Sequence, residues 1–236
     1  MTRFLASVRD EREAALALAG GADLVDFKDP GTGALGALAP DVIERGVAEI
    51  AGRALTSATA GDCPLEASAL VAAARRIGAT GVDYVKIGLL PGAALDACID
   101  KLQAVAGEHR LVAVFFADRG VPFGSLERLR AAGFAGAMLD TFRKGVGGLR
   151  AHLDNADLER FVGTARDAQL LTGLAGSLTL SDISALARIG PDLLGFRGAL
   201  CGEHGRSSAL CGERVQRVRA ALDAARGTRQ RRAAEG

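Results

Sequence analysis

Short apolar runs alternate with alanine-rich stretches along the whole chain, and this alternation is the main structural signal in the sequence. The apolar runs are nearly continuous, as is typical of parallel strands that are buried on both faces. The stretches between them place apolar residues at helical spacing. We predict strands at Phe4–Val8, Leu24–Asp29, Arg53–Thr59, Tyr84–Leu89, Leu111–Asp118, Gly136–Thr141, Leu170–Gly176 and Leu193–Ala199. We predict helices near 10–20, 40–51, 65–79, 93–106, 124–132, 155–168, 180–188 and 207–225.

Eight strand–helix units predict an α/β protein with a single domain, a (β/α)8 or TIM barrel. The chain has 236 residues, which suits such a barrel, and no linker or change of composition divides it. A doubly wound open sheet is the main alternative, but the first strand is not followed by the GxGxxG turn of a dinucleotide-binding fold. We expect the barrel to span residues 1–225 and a short, flexible, arginine-rich tail to occupy residues 226–236.

Polar residues stand at the C-terminal ends of the predicted strands, where the active sites of such barrels lie. They are Asp26, Lys28, Ser57, Thr59, Lys86, Asp118, Asp140, Ser177 and Arg197. The N-terminal ends show no comparable set. Because side chains alternate along a strand, Asp26 shares a face with Lys28, and we expect Lys86 and Asp140 to face the same barrel mouth. The alternative is that each lysine extends outward to solvent and each aspartate caps the next helix.

Lysine is rare in this chain, and its positions indicate amine chemistry. Only four of the 29 lysines and arginines are lysines. Lys101 lies within a predicted helix, whereas Lys28 and Lys86 end strands and Lys144 follows Asp140 by four residues. A lysine can lose its proton and attack a carbonyl carbon, which an arginine cannot do. These positions therefore suggest amine chemistry, and the alternative is that a drift in composition left three lysines there by chance.

Two loops after the seventh and eighth strands are candidates for binding a substrate phosphate. Gly176 and Ser177 follow the seventh strand, and Arg197 and Gly198 follow the eighth. In this fold these loops often bind phosphate through backbone N–H groups, and glycine lets the backbone approach the anion closely. Arg197 would add positive charge. Ordinary left-handed turns at glycine are the alternative.

Composition narrows the class of function. A formal net charge of +1 gives no field that favours nucleic acid. The four cysteines form no CxxC pair and the three histidines form no HxH or HExxH motif, so we expect free thiols, no metal and no cofactor. No apolar stretch is long enough for a signal peptide or a membrane helix. We expect a cytoplasmic protein that binds a small molecule and neither nucleic acid nor membrane; self-association into a homo-oligomer is left open.

Six short motifs in chain order point to one family. They are DFKDPGTGALG at 26–36, SATAGD at 57–62, YVKIGL at 84–89, MLDT at 138–141 with Lys144, LAGS at 174–177 and GFRG at 195–198. Together they resemble the (5-formylfuran-3-yl)methyl phosphate synthase family of methanofuran biosynthesis. The resemblance runs from the first strand to the eighth, although the stretch 201–208 departs from the family pattern.

The resemblance implies a TIM barrel that condenses two molecules of glyceraldehyde 3-phosphate into 4-(hydroxymethyl)-2-furancarboxaldehyde phosphate, with loss of phosphate and water. It implies that Lys28 is the Schiff-base lysine and Lys86 the proton-accepting lysine. It places Asp26, Asp140 and Lys144 among the other polar residues of the pocket.

A lysine that attacks a carbonyl must first be neutral, whereas the pKa of a free lysine is about 10.4. Burial and a second ammonium nearby both disfavour the charged form, and Lys86 and Lys144 can act on Lys28 in this way. We expect Asp140 to be the nearest partner of Lys86. Two alternatives remain open: a class I aldolase that acts on a sugar phosphate through the same imine, and a barrel that binds a sugar phosphate without catalysis.

Overall fold

In a computed structural model of the protein, which describes residues 1–202 and 205–234, parallel strands close into a barrel in chain order. The strands are β1 (Arg3–Val8), β2 (Leu24–Phe27), β3 (Leu55–Thr59), β4 (Tyr84–Gly88), β5 (Leu111–Phe116), β6 (Gly136–Asp140), β7 (Leu171–Leu174) and β8 (Leu193–Phe196). Strand β8 pairs with β1 and completes the ring. The predicted (β/α)8 barrel is confirmed, and most strands are one to three residues shorter than the sequence predicts.

Helices cover the outside of the barrel. They are α1 (Glu11–Ala19), α2 (Pro40–Ile50), α3 (Ala67–Gly78), α4 (Leu95–Ala106), α5 (Leu126–Ala131), α6 (Leu149–His152), α7 (Asn155–Asp167), α8 (Ile183–Ile189) and α9 (Gly212–Ala234). The short α6 is not predicted from the sequence. Among the described residues, no helix combines the length and the apolar character that crossing a membrane requires.

The last helix differs from its prediction at both ends. It begins at Gly212 rather than near 207, because three residues of the preceding loop, Gly205–Ser207, form a short 3-10 turn instead. It also continues past 225 to Ala234, and Arg226 donates hydrogen bonds to the carbonyl of Thr2 at 2.6 and 3.0 Å. The predicted start of a tail at 226 therefore does not interrupt the helix. Glu235 and Gly236, the end of that predicted tail, lie outside the described residues.

Strand register places inside the barrel the strand face that carries Asp26. Ser7, Asp26 and Ser57 are neighbours across β1, β2 and β3. Below them, towards the N-terminal ends, Leu5 and Leu24 belong to a small apolar core inside the barrel. A larger core lies between the strands and the helices. The barrel interior is thus apolar at its floor and polar at its mouth.

Aspartates join the N-terminal ends of three pairs of neighbouring strands, contrary to the expectation that these ends lack a polar set. Asp83, just before β4, accepts hydrogen bonds from the backbone N–H and the hydroxyl of Thr56 on β3, at 2.8 and 2.9 Å. Asp192, before β8, does the same for Thr172 on β7. Asp23, before β2, accepts from the N–H of Phe4 on β1 at 2.7 Å. The prediction missed these residues because each lies in the turn before its strand rather than within it.

The loop between β2 and α2 folds back into the barrel mouth. Its Leu35 is fully buried and joins the apolar core inside the barrel. The carboxylate of Asp62 holds the loop by accepting the N–H groups of Ala34 and Leu35, at 2.6 and 2.9 Å. Gly33 precedes them with a φ of +79°, and a Cβ there would lie 1.8 Å from an oxygen of Asp62. This close approach requires glycine, and it fixes the loop that begins with Lys28.

Candidate active site

A cavity of about 790 Å³ opens at the C-terminal end of the barrel. Its lining includes Lys28, Lys86, Asp140, Lys144, Ser177 and Arg206. The three lysines that the sequence singles out thus meet in one cavity, as predicted. Lys28 and Lys86 are also buried, so the alternative in which they extend outward to solvent is wrong.

Lys86 forms a buried ion pair with Asp26. Its Nζ lies 2.8 Å from Oδ2 of Asp26, and the Asp26 side chain has no exposed surface. The hydroxyls of Ser7 and Ser57 donate to the two oxygens of the same carboxylate, at 2.9 and 2.6 Å. The expectation that Asp140 is the partner of Lys86 is therefore wrong. Strand order does not decide the partner, because β2 and β6 each lie two strands from β4 in the ring. Asp140 is engaged by Lys28 and Lys144 instead.

Asp140 instead bridges the other two lysines. Its Oδ2 lies 3.3 Å from Nζ of Lys28, and its Oδ1 lies 2.7 Å from Nζ of Lys144. Oδ1 also accepts the N–H of Thr141 at 2.7 Å. Lys144 donates further to the carbonyl and the hydroxyl of Thr141. One carboxylate therefore connects two ammonium groups, one on the β2 side of the mouth and one on the β6 side.

The charges of this cluster shift the pKa values of its members. Burial alone would raise the pKa of the Asp140 carboxyl, but Lys28 and Lys144 outweigh it and hold that pKa far below its usual range. Burial lowers the pKa of Lys144, and the charge of Lys28 adds to that lowering, while Asp140 opposes it. The pKa of Lys144 therefore lies below the ordinary value for a lysine, so its neutral form is reached more easily than that of a free lysine.

Arg197 lines the cavity, but other groups of the protein hold its guanidinium. Its guanidinium pairs with the buried carboxylate of Glu13 on α1. It also donates to the carbonyls of Ser7, Arg206 and Ser208, at 3.2, 2.8 and 2.9 Å. These bonds use all five N–H donors of a guanidinium. The prediction that Arg197 adds charge to a bound phosphate therefore needs correction, since no donor is left for an anion.

The remaining predicted phosphate residues lie at the cavity edge. Gly176, Ser177 and Gly198 all line it. Gly176 and Ser177 have φ values of +105° and +50°, so a non-glycine residue holds a left-handed conformation here. The carbonyl of Gly176 is turned away to accept the N–H of Leu149 on α6. The sequence predicted the position of this loop, and its contact with a phosphate stays a prediction.

Two polar residues at other strand ends hold loops instead of facing the cavity. Thr59 donates to the carbonyl of Gly36 at 2.7 Å, in the loop that carries Lys28. Asp118 accepts the N–H groups of Phe142 and Arg143, just after β6. Sequence position alone cannot separate such supporting residues from those that face the substrate.

Sequence reasoning missed two charged residues of this region, Glu13 and Arg206. Glu13 lies in the first turn of α1, where an acidic residue is ordinary for a helix. Arg206 lies in the loop between β8 and α9, and its side chain reaches the carbonyl of Gly33 across the mouth at 3.2 Å. The only signal for Arg206 was its place within the stretch 201–208 that departs from the family pattern. Glu203 and His204 of that stretch lie outside the described residues.

The arrangement suits amine catalysis on a charged carbonyl compound. It provides buried lysines beside carboxylates that can take up and return protons. The thiols of Cys63, Cys98, Cys201 and Cys211 are free. Among the described residues, no group of three or more histidines, cysteines and acidic residues could hold a metal ion.

Comparison with known proteins identifies the family. The family model for 4-HFC-P synthase matches residues 4–219. A protein of Methylorubrum extorquens that is provisionally named (5-formylfuran-3-yl)methyl phosphate synthase is 46% identical over 222 residues, which are 94% of this chain and 92% of that protein. The (5-formylfuran-3-yl)methyl phosphate synthase of Methanothermobacter thermautotrophicus is 37% identical, over 84% of this chain and 89% of its own.

Among solved structures, phosphoribosyl anthranilate isomerase from Thermus thermophilus superposes with a TM-score of 0.65. It covers 94% of this chain and 99% of its own, at 14% sequence identity, so this likeness supports the barrel fold alone. The family match extends over nearly the whole barrel, and it includes every lysine and aspartate of the mouth. This chain therefore belongs to the 4-HFC-P synthase family of enzymes.

Proposed function

We propose that this enzyme condenses two molecules of glyceraldehyde 3-phosphate into (5-formylfuran-3-yl)methyl phosphate, through a Schiff base on Lys28. The observation that carries the proposal is the bridge from Lys28 through Asp140 to Lys144, with distances of 3.3 and 2.7 Å. The family supports the product. We further propose that the product serves a methanofuran-type one-carbon carrier and that the protein acts in the cytoplasm.

Lys28 must lose a proton before it attacks. Asp140 contacts both Lys28 and Lys144, and the environment of Lys144 favours its neutral form. A neutral Lys144 can therefore take the proton of Lys28, with Asp140 as the relay. The neutral amine of Lys28 then attacks the carbonyl carbon of the ketone form of the triose phosphate, and loss of water leaves a protonated imine.

The protonated imine withdraws electrons, so a proton on the neighbouring carbon becomes removable. Lys86 is the proposed acceptor of that proton. It becomes neutral when its own proton passes to Asp26 over their 2.8 Å contact. The resulting enamine attacks the aldehyde carbon of the second triose and forms the new carbon–carbon bond. Ring closure and hydrolysis of the imine return Lys28.

Atom balance fixes what must leave. Two triose phosphates contain one phosphate and two water molecules more than one phosphorylated furan aldehyde does. Removing these groups requires acids that protonate the departing hydroxyls. The ammonium forms of Lys86 and Lys144 can serve in this role after each has accepted a proton. We propose that the loops of Gly176–Ser177 and Gly198 hold the phosphate that is retained, through backbone N–H groups.

The decisive test is borohydride trapping with triose phosphate, followed by mass mapping, together with assays for inorganic phosphate and for the furan aldehyde. The proposal predicts a reduced adduct on the peptide that contains Lys28, and it predicts release of phosphate. An aldolase would give the adduct without releasing phosphate, and a protein that only binds sugar phosphate would give neither. An adduct on another lysine, such as the helical Lys101, would refute the assignment of Lys28.

A further inference from the structure

Arg206 is a half-buried cation at the edge of the large cavity. It lies in the 3-10 turn Gly205–Ser207, within the loop between β8 and α9. Its side chain lines the same cavity as Lys28, Ser177 and Gly198. It therefore lies at the cavity where Ser177 and Gly198 are expected to hold a phosphate, although it belongs to neither the LAGS nor the GFRG motif.

The guanidinium of Arg206 is poorly satisfied. It could donate five hydrogen bonds, but with the residues that the structure describes its side chain makes one, from Nη2 to the carbonyl of Gly33. Within the part of the chain that the structure describes, no carboxylate lies within ion-pair distance of it. Burial lowers its pKa, and the distant charges of Asp140 and Asp62 only partly offset this. A half-buried arginine without a partner is unfavourable unless an anion joins it.

Charge around the cavity is also unbalanced. The cations in its lining are Lys28, Lys86, Lys144, Arg197, Arg206 and Arg214. Among the described residues, three carboxylates pair with them, those of Asp26, Asp140 and Glu13. Arg206 and Arg214 form no ion pair among the described residues. The cavity is therefore complementary to a dianion, the charge that a phosphate monoester carries near neutral pH.

The buried pair Glu13–Arg197 holds the loop of Arg206 in place. Nε of Arg197 donates to the carbonyl of Arg206 itself at 2.8 Å, and Nη2 donates to the carbonyl of Ser208. Glu13 accepts the N–H of Leu210 at 3.1 Å, at the end of the same loop. The contact with Gly33 holds the other end of the Arg206 side chain. Arg206 is thus set in position before any ligand arrives.

We propose that Arg206 binds the phosphate monoester of the substrate directly, and that Glu13 and Arg197 are positioning residues that present Arg206 to it. This inference rests on the proposed function for the identity of the substrate, but its test does not require turnover. It assigns the ligand role to a residue outside the GFRG motif and gives the arginine of that motif a supporting one.

Calorimetric titration with glycerol 3-phosphate, which has no carbonyl, and with inorganic phosphate tests the assignment. Arg206→Gln should weaken glycerol 3-phosphate binding roughly tenfold to a hundredfold, the range for a lost charge-assisted hydrogen bond. Arg206→Lys, which keeps a charge but loses the fork geometry, should lie between that variant and the wild type. The matched control is Arg217→Gln, at an exposed position of α9, which should bind as the wild type does.

Unchanged affinity for glycerol 3-phosphate in Arg206→Gln would overturn the proposal. So would a loss confined to inorganic phosphate, because Arg206 would then hold the released product instead of the ester. If Arg206→Gln folds poorly, Arg206→Lys is compared with the wild type instead. Weaker binding of glycerol 3-phosphate by Arg206→Lys supports the proposal, and unchanged binding overturns it. Wild-type protein that binds glycerol 3-phosphate but yields no borohydride adduct would refute the Schiff base and leave the role of Arg206 standing.

The positioning role has its own readout. Glu13→Gln should raise KM for triose phosphate while leaving kcat largely intact. It should also leave unchanged the borohydride trapping of dihydroxyacetone, which lacks a phosphate. Equal losses with dihydroxyacetone and with triose phosphate would show that Glu13 supports the fold in general, and they would overturn its positioning role.

Discussion

Nζ of Lys86 lies 2.8 Å from the carboxylate of Asp26, and both side chains are buried between β2 and β4. Lys28 belongs to a different group, since its partner is Asp140 at 3.3 Å. The barrel mouth thus holds two separate lysine–carboxylate groups. One contains the lysine proposed to form the imine, and the other contains the lysine proposed to accept a proton from carbon.

Lys86→Met should stop formation of the furan aldehyde but still permit imine trapping on Lys28, because only the proton acceptor is removed. The variant should also be less stable by about 3–5 kcal/mol, since the buried carboxylate of Asp26 loses its partner. Product analysis, borohydride trapping and urea unfolding measure the three effects.

The matched control for this variant is the double substitution Lys86→Met with Asp26→Asn. It removes the uncompensated charge, so it should recover part of the lost stability without recovering the product. Near-normal furan formation by either variant would show that Lys86 is not the acceptor.

Lys28→Arg should abolish turnover while retaining the fold, because a guanidinium keeps the charge beside Asp140 but cannot form an imine. Borohydride should then add no triose to the protein. Lys101→Arg, on the outer surface of α4, should react as the wild type does. Mass spectrometry of both variants and circular dichroism provide the measurements. A trapped adduct on Lys28→Arg would mean that another lysine is the nucleophile.

Asp140 should make the stability of the protein depend on pH in the acid range. Its folded-state pKa lies below the ordinary value of 3.8, so the unfolded chain binds more protons there. The stabilisation is complete above pH 3.8 and is lost as the pH falls below it. Between about pH 6 and pH 3, urea unfolding should therefore show that Asp140→Asn loses less stability than the wild type does. Equal losses would contradict a lowered pKa in the folded protein.

Asp83→Ala should destabilise the barrel by about 2–3 kcal/mol and leave kcat and KM almost unchanged. The substitution removes two hydrogen bonds that Thr56 donates, and it leaves the N–H of Thr56 without that acceptor. Asp83→Asn, which keeps an oxygen acceptor, should recover part of the stability. Thermal unfolding measures the stability, and steady-state kinetics measure kcat and KM. A large fall in kcat in a fully folded variant would contradict the structural role of Asp83.

The order of strands and helices follows from the sequence, because buried parallel strands appear as apolar runs at regular intervals along the chain. The sequence also predicts that four side chains meet at one barrel mouth, those of Asp26, Lys28, Lys86 and Asp140. This inference needs only the two-residue alternation of side chains along a strand and the position of each residue near the C-terminal end of its strand. The proposal of amine chemistry rests on the same positions, because lysine and not arginine occupies them.

The pairings do not follow from the sequence. Strands β2 and β6 are equally distant from β4 in the closed ring, so whether Lys86 meets Asp26 or Asp140 depends on how far and in which direction each side chain reaches. Arg197 is a second residue whose partner does not follow from the sequence. Its motif suggests a ligand, but the buried Glu13, 184 residues away in the chain, takes up its guanidinium.

The aspartates at the barrel floor also bear on how this enzyme can be re-engineered. Asp83 and Lys86 are three residues apart, roughly 10 Å along an extended strand, yet one joins strands and the other faces the substrate cavity. The aspartates that join neighbouring strands thus lie away from the lysines at the barrel mouth. Side chains at the mouth can be exchanged in search of other carbonyl substrates while the joints between strands stay untouched.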